Sequence, residues 1–182
     1  MKRLLLGFGA AFAASCAHAQ SPDPSAGETA TPPPPPACEE AIYRQFDFWA
    51  GDWEVFTPDG AKAGDNAITV EEKGCLLVER WAGAKGGTGQ SYNYVDHEDG
   101  KWRQIWVSAG ATIDYEGGLN DKGEMVLEGT IAYPNGKIAP FRGTWTPNPD
   151  GSVTQYFQEY DPDKDVWTDW FTGIYKLKAG ER

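Results

Sequence analysis

The chain has 182 residues, is 40% hydrophobic and carries a formal net charge of −11. That length suits one domain with extensions. Its acidity argues against nucleic acid and anionic membrane surfaces as partners, because like charge repels both.

The first residues read as an export signal. Lys2 and Arg3 form a basic start, Leu4 to Ala14 a short apolar stretch, and Ala17-His18-Ala19 supplies small residues for cleavage after Ala19. The stretch is too short to span a bilayer, and no later segment is apolar for long enough. A soluble protein of the periplasm or the secreted fraction is therefore expected. Ala13-Ala14-Ser15-Cys16 departs from a lipoprotein box, whose first position is normally Leu, so a lipid anchor on Cys16 is the lesser reading. Cleavage would remove two of the 16 basic residues and none of the 27 acidic ones, leaving a net charge of −13.

Residues 20–40 form a leader containing Ser21-Pro22-Asp23-Pro24 and the run Pro32 to Pro36. It has almost no large apolar side chains, so it cannot pay the entropy of folding and favours extended polyproline II. Cys38 and Cys75 are the two cysteines left after cleavage. In an oxidising compartment they are expected to form a disulfide.

The domain is expected over residues 41–178. Glu39 to Gln45 can form one short helical turn. Beyond it, apolar and aromatic residues alternate with polar ones, and Gly, Pro, Asn or Asp recur about every 8–12 residues, the texture of short strands and tight turns. Ten strands are predicted: Trp53 to Thr57, Asn66 to Glu72, Leu76 to Trp81, Gln90 to Asp96, Trp102 to Val107, Thr112 to Gly117, Met125 to Tyr133, Ile138 to Thr146, Val153 to Tyr160 and Trp167 to Leu177. Pro134-Asn135-Gly136 is a strong hairpin signal. With no crossover helices these strands imply an all-β antiparallel up-and-down meander, and closing it into a barrel removes two aggregation-prone edges. More than eight strands tend to leave internal room.

Phe46-Asp47-Phe48-Trp49-Ala50-Gly51-Asp52-Trp53 carries a resemblance. Its Gly51-x-Trp53 element resembles the glycine–tryptophan signature of lipocalins and the wider calycin group. The longer FDFWxGxW form resembles a group of exported bacterial proteins without an established function. Gly74-Cys75 with Glu79-x-Trp81, Gly89-x-Ser91, Trp102-x-Gln104-x-Trp106 and Trp170-Phe171-x-Gly173-x-Tyr175 fit that group as well. The resemblance implies a calycin-like barrel and no particular reaction. The late-strand Arg that often stacks on this Trp in lipocalins has no counterpart, since Lys176 and Lys178 stand there.

Alternate strand residues point inward. Cys75, Leu77, Glu79 and Trp81 share one face, as do Trp102, Gln104 and Trp106, and Gln155, Phe157 and Glu159. Trp167, Asp169, Phe171, Gly173 and Tyr175 are expected to share another. On the fourth strand either Tyr92 and Tyr94 or Ser91 and Asn93 point in. The motif-bearing faces give a candidate ligand site of Glu79, Trp81, Ser91, Gln104, Trp106, Arg142, Gln155, Phe157, Glu159 and Tyr175, with aromatic walls and a few orienting polar groups. Arg142 is expected to neutralise Glu79 or Glu159 inside. Trp49 and Trp53 are expected to plug one end.

The expected activity is binding of a small, partly apolar molecule of unidentified kind, without a cofactor, a metal or a catalytic residue. Haem-binding barrels that resemble this one use a late-strand His as axial ligand; no His follows His97, and His97 sits in an expected exposed turn, so haem is disfavoured. The acidic turns Asp96 to Asp99 and Asp161 to Asp165 lack EF-hand spacing. Two alternatives stand beside this: a barrel enzyme using Tyr175, Arg142 and Glu79 in acid–base chemistry, and an envelope interaction module working through its surface or leader. A weak oligomer is left open.

Overall fold

The computed structural model describes residues 38–180. The export signal, Cys16 and most of the leader lie outside the described residues. The strands are β1 (Gly51–Phe56), β2 (Lys62–Glu71), β3 (Leu76–Gly83), β4 (Thr88–Val95), β5 (Trp102–Ser108), β6 (Thr112–Leu119), β7 (Met125–Ala132), β8 (Ile138–Pro147), β9 (Val153–Asp161) and β10 (Val166–Leu177). Each pairs antiparallel with the next, and β1 pairs with β10, so the ten strands close into an up-and-down barrel. No strand edge is left open. The observed limits lie close to the expected ones because turn residues set them: Pro58-Asp59-Gly60, Asp99-Gly100 and Asn135-Gly136 interrupt the alternation where hairpins require positive φ.

Consecutive turns of such a meander lie at opposite ends. The end reached by the β2–β3, β4–β5, β6–β7 and β8–β9 turns is closed by the segment before β1. That segment makes two 3-10 turns, Ala41–Arg44 and Asp47–Trp49. Phe46 and Trp49 are fully buried. Their rings stack at 4.9 Å, and Phe46 meets Trp102 and Trp145 edge-on at 5.7 and 5.3 Å. Trp53, at the start of β1, donates its indole N–H to the Trp49 carbonyl at 2.9 Å. Each such aromatic removes roughly 150–250 Å² from water, so this end is where much of the hydrophobic stabilisation is concentrated. Gly51, with φ 141°, sits under the plug, and a side chain there would come within 2.9 Å of Leu177.

The plug is tied down covalently and by hydrogen bonds. Cys38 and Cys75 form a disulfide. The Arg44 guanidinium donates to the Gly74 carbonyl at 2.6 Å, and the Trp102 indole donates to the Ile42 carbonyl at 3.2 Å.

One irregularity decides what reaches the lumen. Asp169 pairs with Gln158 and Phe171 pairs with Phe157, which leaves Trp170 as an extra residue in β10. A bulge of this kind flips the side-chain alternation on one side of it. The expected common face of Trp167, Asp169, Phe171, Gly173 and Tyr175 is therefore corrected. Phe171, Gly173 and Tyr175 point inward. Trp167 and Asp169 point outward, where the Arg142 guanidinium stacks 4.3 Å from the Trp167 ring and Tyr156 donates its hydroxyl to Asp169.

Candidate functional site

The inner face changes character with depth. Above the plug lies a belt of polar side chains, one or two from each of seven strands, fully enclosed by the wall. Glu79 on β3 is its centre. Its Oε1 accepts from Asn66 Nδ2 at 2.7 Å and its Oε2 from the Ser91 hydroxyl at 2.6 Å. Asn66 also donates to the Tyr175 hydroxyl at 3.1 Å, which in turn donates to Gln155 Oε1 at 3.0 Å. In the other direction Ser91 accepts from Asn93 at 2.9 Å, Asn93 Oδ1 accepts from Gln104, and Gln104 Oε1 accepts from the Tyr115 hydroxyl. The belt thus runs Gln155, Tyr175, Asn66, Glu79, Ser91, Asn93, Gln104, Tyr115. Register explains the continuity: Asn66 on β2 and Glu79 on β3 share a face, and Glu79 pairs directly with Ser91 and Ser91 with Trp106.

Burial makes this belt electrostatically unusual. Glu79 is 4% exposed. Burial pushes its carboxyl up to about 7, against the opposing effect of the bonds from Ser91 and Asn66. Tyr115 and Tyr175 are driven well above the ordinary phenol range by burial, and then by the negative charge of Glu79.

Between the belt and the open end is a cavity of about 300 Å³. Trp81, Trp106, Phe157, Phe171 and Tyr175 supply its aromatic wall, and Glu79, Gln104 and Gln155 its polar floor. Two inward glycines keep it open. The Trp106 ring lies across Gly89, where an added Cβ would be 2.2 Å from the ring, and the Trp81 ring lies across Gly64 at 2.7 Å from such an atom. The indoles therefore spread along the wall where a larger residue would push them into the lumen.

The rim carries a second cluster. Trp170, at the bulge, donates its indole N–H to the Tyr133 hydroxyl at 3.0 Å. Tyr133 donates to Glu159 Oε2, and Lys137 donates to Glu159 Oε1 at 2.5 Å. Burial pushes the Glu159 carboxyl up, but the bonds from Lys137 and Tyr133 outweigh it and hold the group below the usual range. The Tyr133 phenol is pushed up to about 12, first by burial and then by its bond to Glu159.

Of the residues singled out from the sequence, Glu79, Trp81, Gln104, Trp106, Gln155, Phe157 and Tyr175 line the cavity. Ser91 lies one layer behind, fully buried against Glu79. On β4 it is thus Ser91 and Asn93 that point in, while Tyr92 is 49% exposed outside. Glu159 is at the rim. Arg142 is on the outer surface, a correction to its expected place inside. Its neighbours Phe141 and Gly143 are buried, so alternation sends it outward, where it donates from Nε to Gln158 at 2.7 Å. The Tyr175, Arg142 and Glu79 acid–base trio is therefore not assembled, and Tyr175 and Glu79 meet through Asn66. Asn66, Tyr115, Tyr133 and Trp170 were missed from the sequence, and Asn93 was left as one of two alternatives. Asn66 and Asn93 had a signal, since each stands two residues from an apolar or motif residue of its strand. Trp170 had none without the bulge.

Among the described residues, no cluster of His, Cys, Asp and Glu is arranged to hold a metal ion, and no helix is long and apolar enough to cross a membrane. The site and fold together define a closed ten-strand barrel, plugged at one end and hollow at the other. No protein-family model matches the chain, and no curated protein matches it either.

Proposed function

We propose that this chain is an exported barrel that binds a small, partly apolar molecule in its lumen. The observation that carries the reading is the cavity of about 300 Å³ with aromatic walls and polar groups on its floor. An apolar cavity of about 150 Å³ is enough to take benzene, and ligand pockets begin at about 300 Å³. A bicyclic molecule therefore fits. The closed end is sealed by Phe46, Trp49 and Trp53, so a ligand enters past Tyr133 and Trp170.

Export is supported by the Lys2-Arg3 start, the apolar stretch after it and the Cys38–Cys75 disulfide, a bond that persists in oxidising compartments. The resemblance of Gly51-x-Trp53 to the calycin signature points the same way, since many calycins carry small molecules in a barrel. Native mass spectrometry of protein made in its own host, with tryptophan quenching across a panel of small molecules, tests the reading. A retained mass or saturable quenching is expected. Protein that carries nothing and stays unquenched across the panel would leave only an exported scaffold.

A further inference from the structure

Glu79 is the one carboxylate on the cavity floor, and it has no partner of opposite charge. Both its oxygens accept from neutral donors, Asn66 and Ser91. The elements packed around it supply Asn66 and Ile68 from β2, Ser91 and Asn93 from β4, Trp106 and Gln104 from β5, Tyr115 from β6 and Tyr175 from β10. Among the described residues, no Lys, Arg or His lines the cavity. A buried carboxylate in that position is costly unless it is neutralised or paired.

One acceptor of the belt is left over. Asn66 divides its amide nitrogen between Glu79 and Tyr175. Its Oδ1 is buried with no donor. The hydroxyls of Tyr115 and Tyr175 are committed to Gln104 and Gln155. The floor thus offers a guest the Glu79 carboxylate, with the Gln155 amide beside it. The walls offer the faces of indole rings, which attract cations. The whole chain, at a net charge of −11, concentrates cations and repels anions.

We propose that the guest of this lumen is a small aromatic amine, its ammonium bonded to the Glu79 carboxylate and its ring held among Trp81, Trp106 and Phe157. This rests on the lumen-binding reading and adds the ligand's chemical class. A neutral aromatic would leave the carboxylate unpaired, and an aromatic acid would meet it with like charge. The raised titration of Glu79 is what an unpaired buried carboxyl shows, and an ammonium at bonding distance would draw it back down.

Calorimetric titration with three probes of one frame tests this: 2-naphthylmethylamine, 2-naphthylmethanol and 2-naphthoate. At pH 8 the amine is expected to bind at least about tenfold more tightly than the alcohol, as a charge-assisted bond in a dry site allows, and the acid not at all. Between pH 5.5 and 8 the amine's affinity should rise by about tenfold or more as Glu79 ionises, while the alcohol's stays level. Glu79→Gln should erase the amine's advantage over the alcohol and flatten its pH dependence. The pH series on the unaltered protein gives the answer even where that variant does not fold. Equal binding of alcohol and amine, or tighter binding of the acid, overturns the amine assignment while lumen binding stands. If none of the three binds, native mass spectrometry separates the two failures: a retained amine of another frame keeps both readings, a retained neutral or acidic compound overturns the amine assignment alone, and no retained compound overturns both.

Discussion

Replacing Glu79 by Gln should change how the protein's stability depends on pH, with a sign set by the burial of the carboxyl. In the unfolded chain the carboxyl titrates near 4.5, and in the barrel burial moves it to about 7. Between those values the folded protein holds a proton that the unfolded chain has released. Stability from this group is therefore fully present below about pH 4.5 and is lost as pH rises through 7. The difference is worth about 3 kcal/mol, at about 1.4 kcal/mol for each pH unit. Glutamine keeps nearly the same shape. It can still accept from Asn66, and its amide can donate to Ser91, whose hydroxyl then turns. It does not titrate.

Urea unfolding of both proteins, followed by tryptophan fluorescence with the disulfide intact, should be measured from pH 4.5 to 8.5. The stability of the native sequence minus that of Glu79→Gln should fall by about 3 kcal/mol across that range. Taking the difference cancels the many surface carboxylates that both proteins share. Parallel stability curves would show that Glu79 titrates normally, and hence that it is solvated or paired in a way the belt geometry does not allow.

Other perturbations probe the plug, the wall and the rim. Breaking the Cys38–Cys75 bond with paired Ser substitutions should cost up to about 4 kcal/mol in urea unfolding, the chain-entropy figure for a loop of this length. Trp49→Ala, at a fully buried position, should cost about 3–5 kcal/mol, and calorimetry would register it as a large drop in Tm. Gly89→Ala places a methyl against the Trp106 ring. It should lower stability by about 1–3 kcal/mol, and a changed near-ultraviolet dichroism would report the displaced indole. Trp170→Ala removes a rim side chain without touching the belt, so stopped-flow titration with an aromatic probe should show faster entry and release, with urea stability changed by less than about 1 kcal/mol.

The strands were legible because two local signals agreed: period-two alternation gave their bodies, and turn chemistry gave their ends. The all-antiparallel closed barrel followed from strand count and the absence of crossovers. Within the site, β3, β5 and β9 were read on the correct face because Leu77, Trp102 and Phe157 mark it. Arg142 was misplaced although β8 carried the answer. Phe141 and Trp145 are two residues either side of Gly143, all on the inner face, and Arg142 must oppose them. Expecting a cation to neutralise Glu79 overrode that pattern. The error on β10 is different in kind. A bulge is a relation between two strands, and Thr168-Asp169-Trp170-Phe171 alone contains no mark of where the partner's register slips. Asn93 lay on one of two possible inward faces of its strand and Asn66 was not singled out, whereas inside a barrel amides are the side chains able to donate and accept along a ring of neighbours.

The bulge and the belt together account for why the lumen is empty in its upper half and filled in its lower. Below the belt, Phe46, Trp49, Trp53 and Trp145 crowd inward from the plug and two strands. Above it, Gly64 and Gly89 remove side chains where Trp81 and Trp106 would otherwise be pushed across the lumen. The bulge then sets Trp170 at the rim, against Tyr133. With the same residues and no bulge, strict alternation from Tyr175 and Gly173 would keep Phe171 inward but turn Asp169 and Trp167 inward with it, adding a second carboxylate to the lumen. A second carboxylate there would raise the cost of ionising Glu79. The bulge thus turns Asp169 outward and leaves Glu79 as the lone acid of the floor, the condition on which its proposed pairing with an ammonium depends.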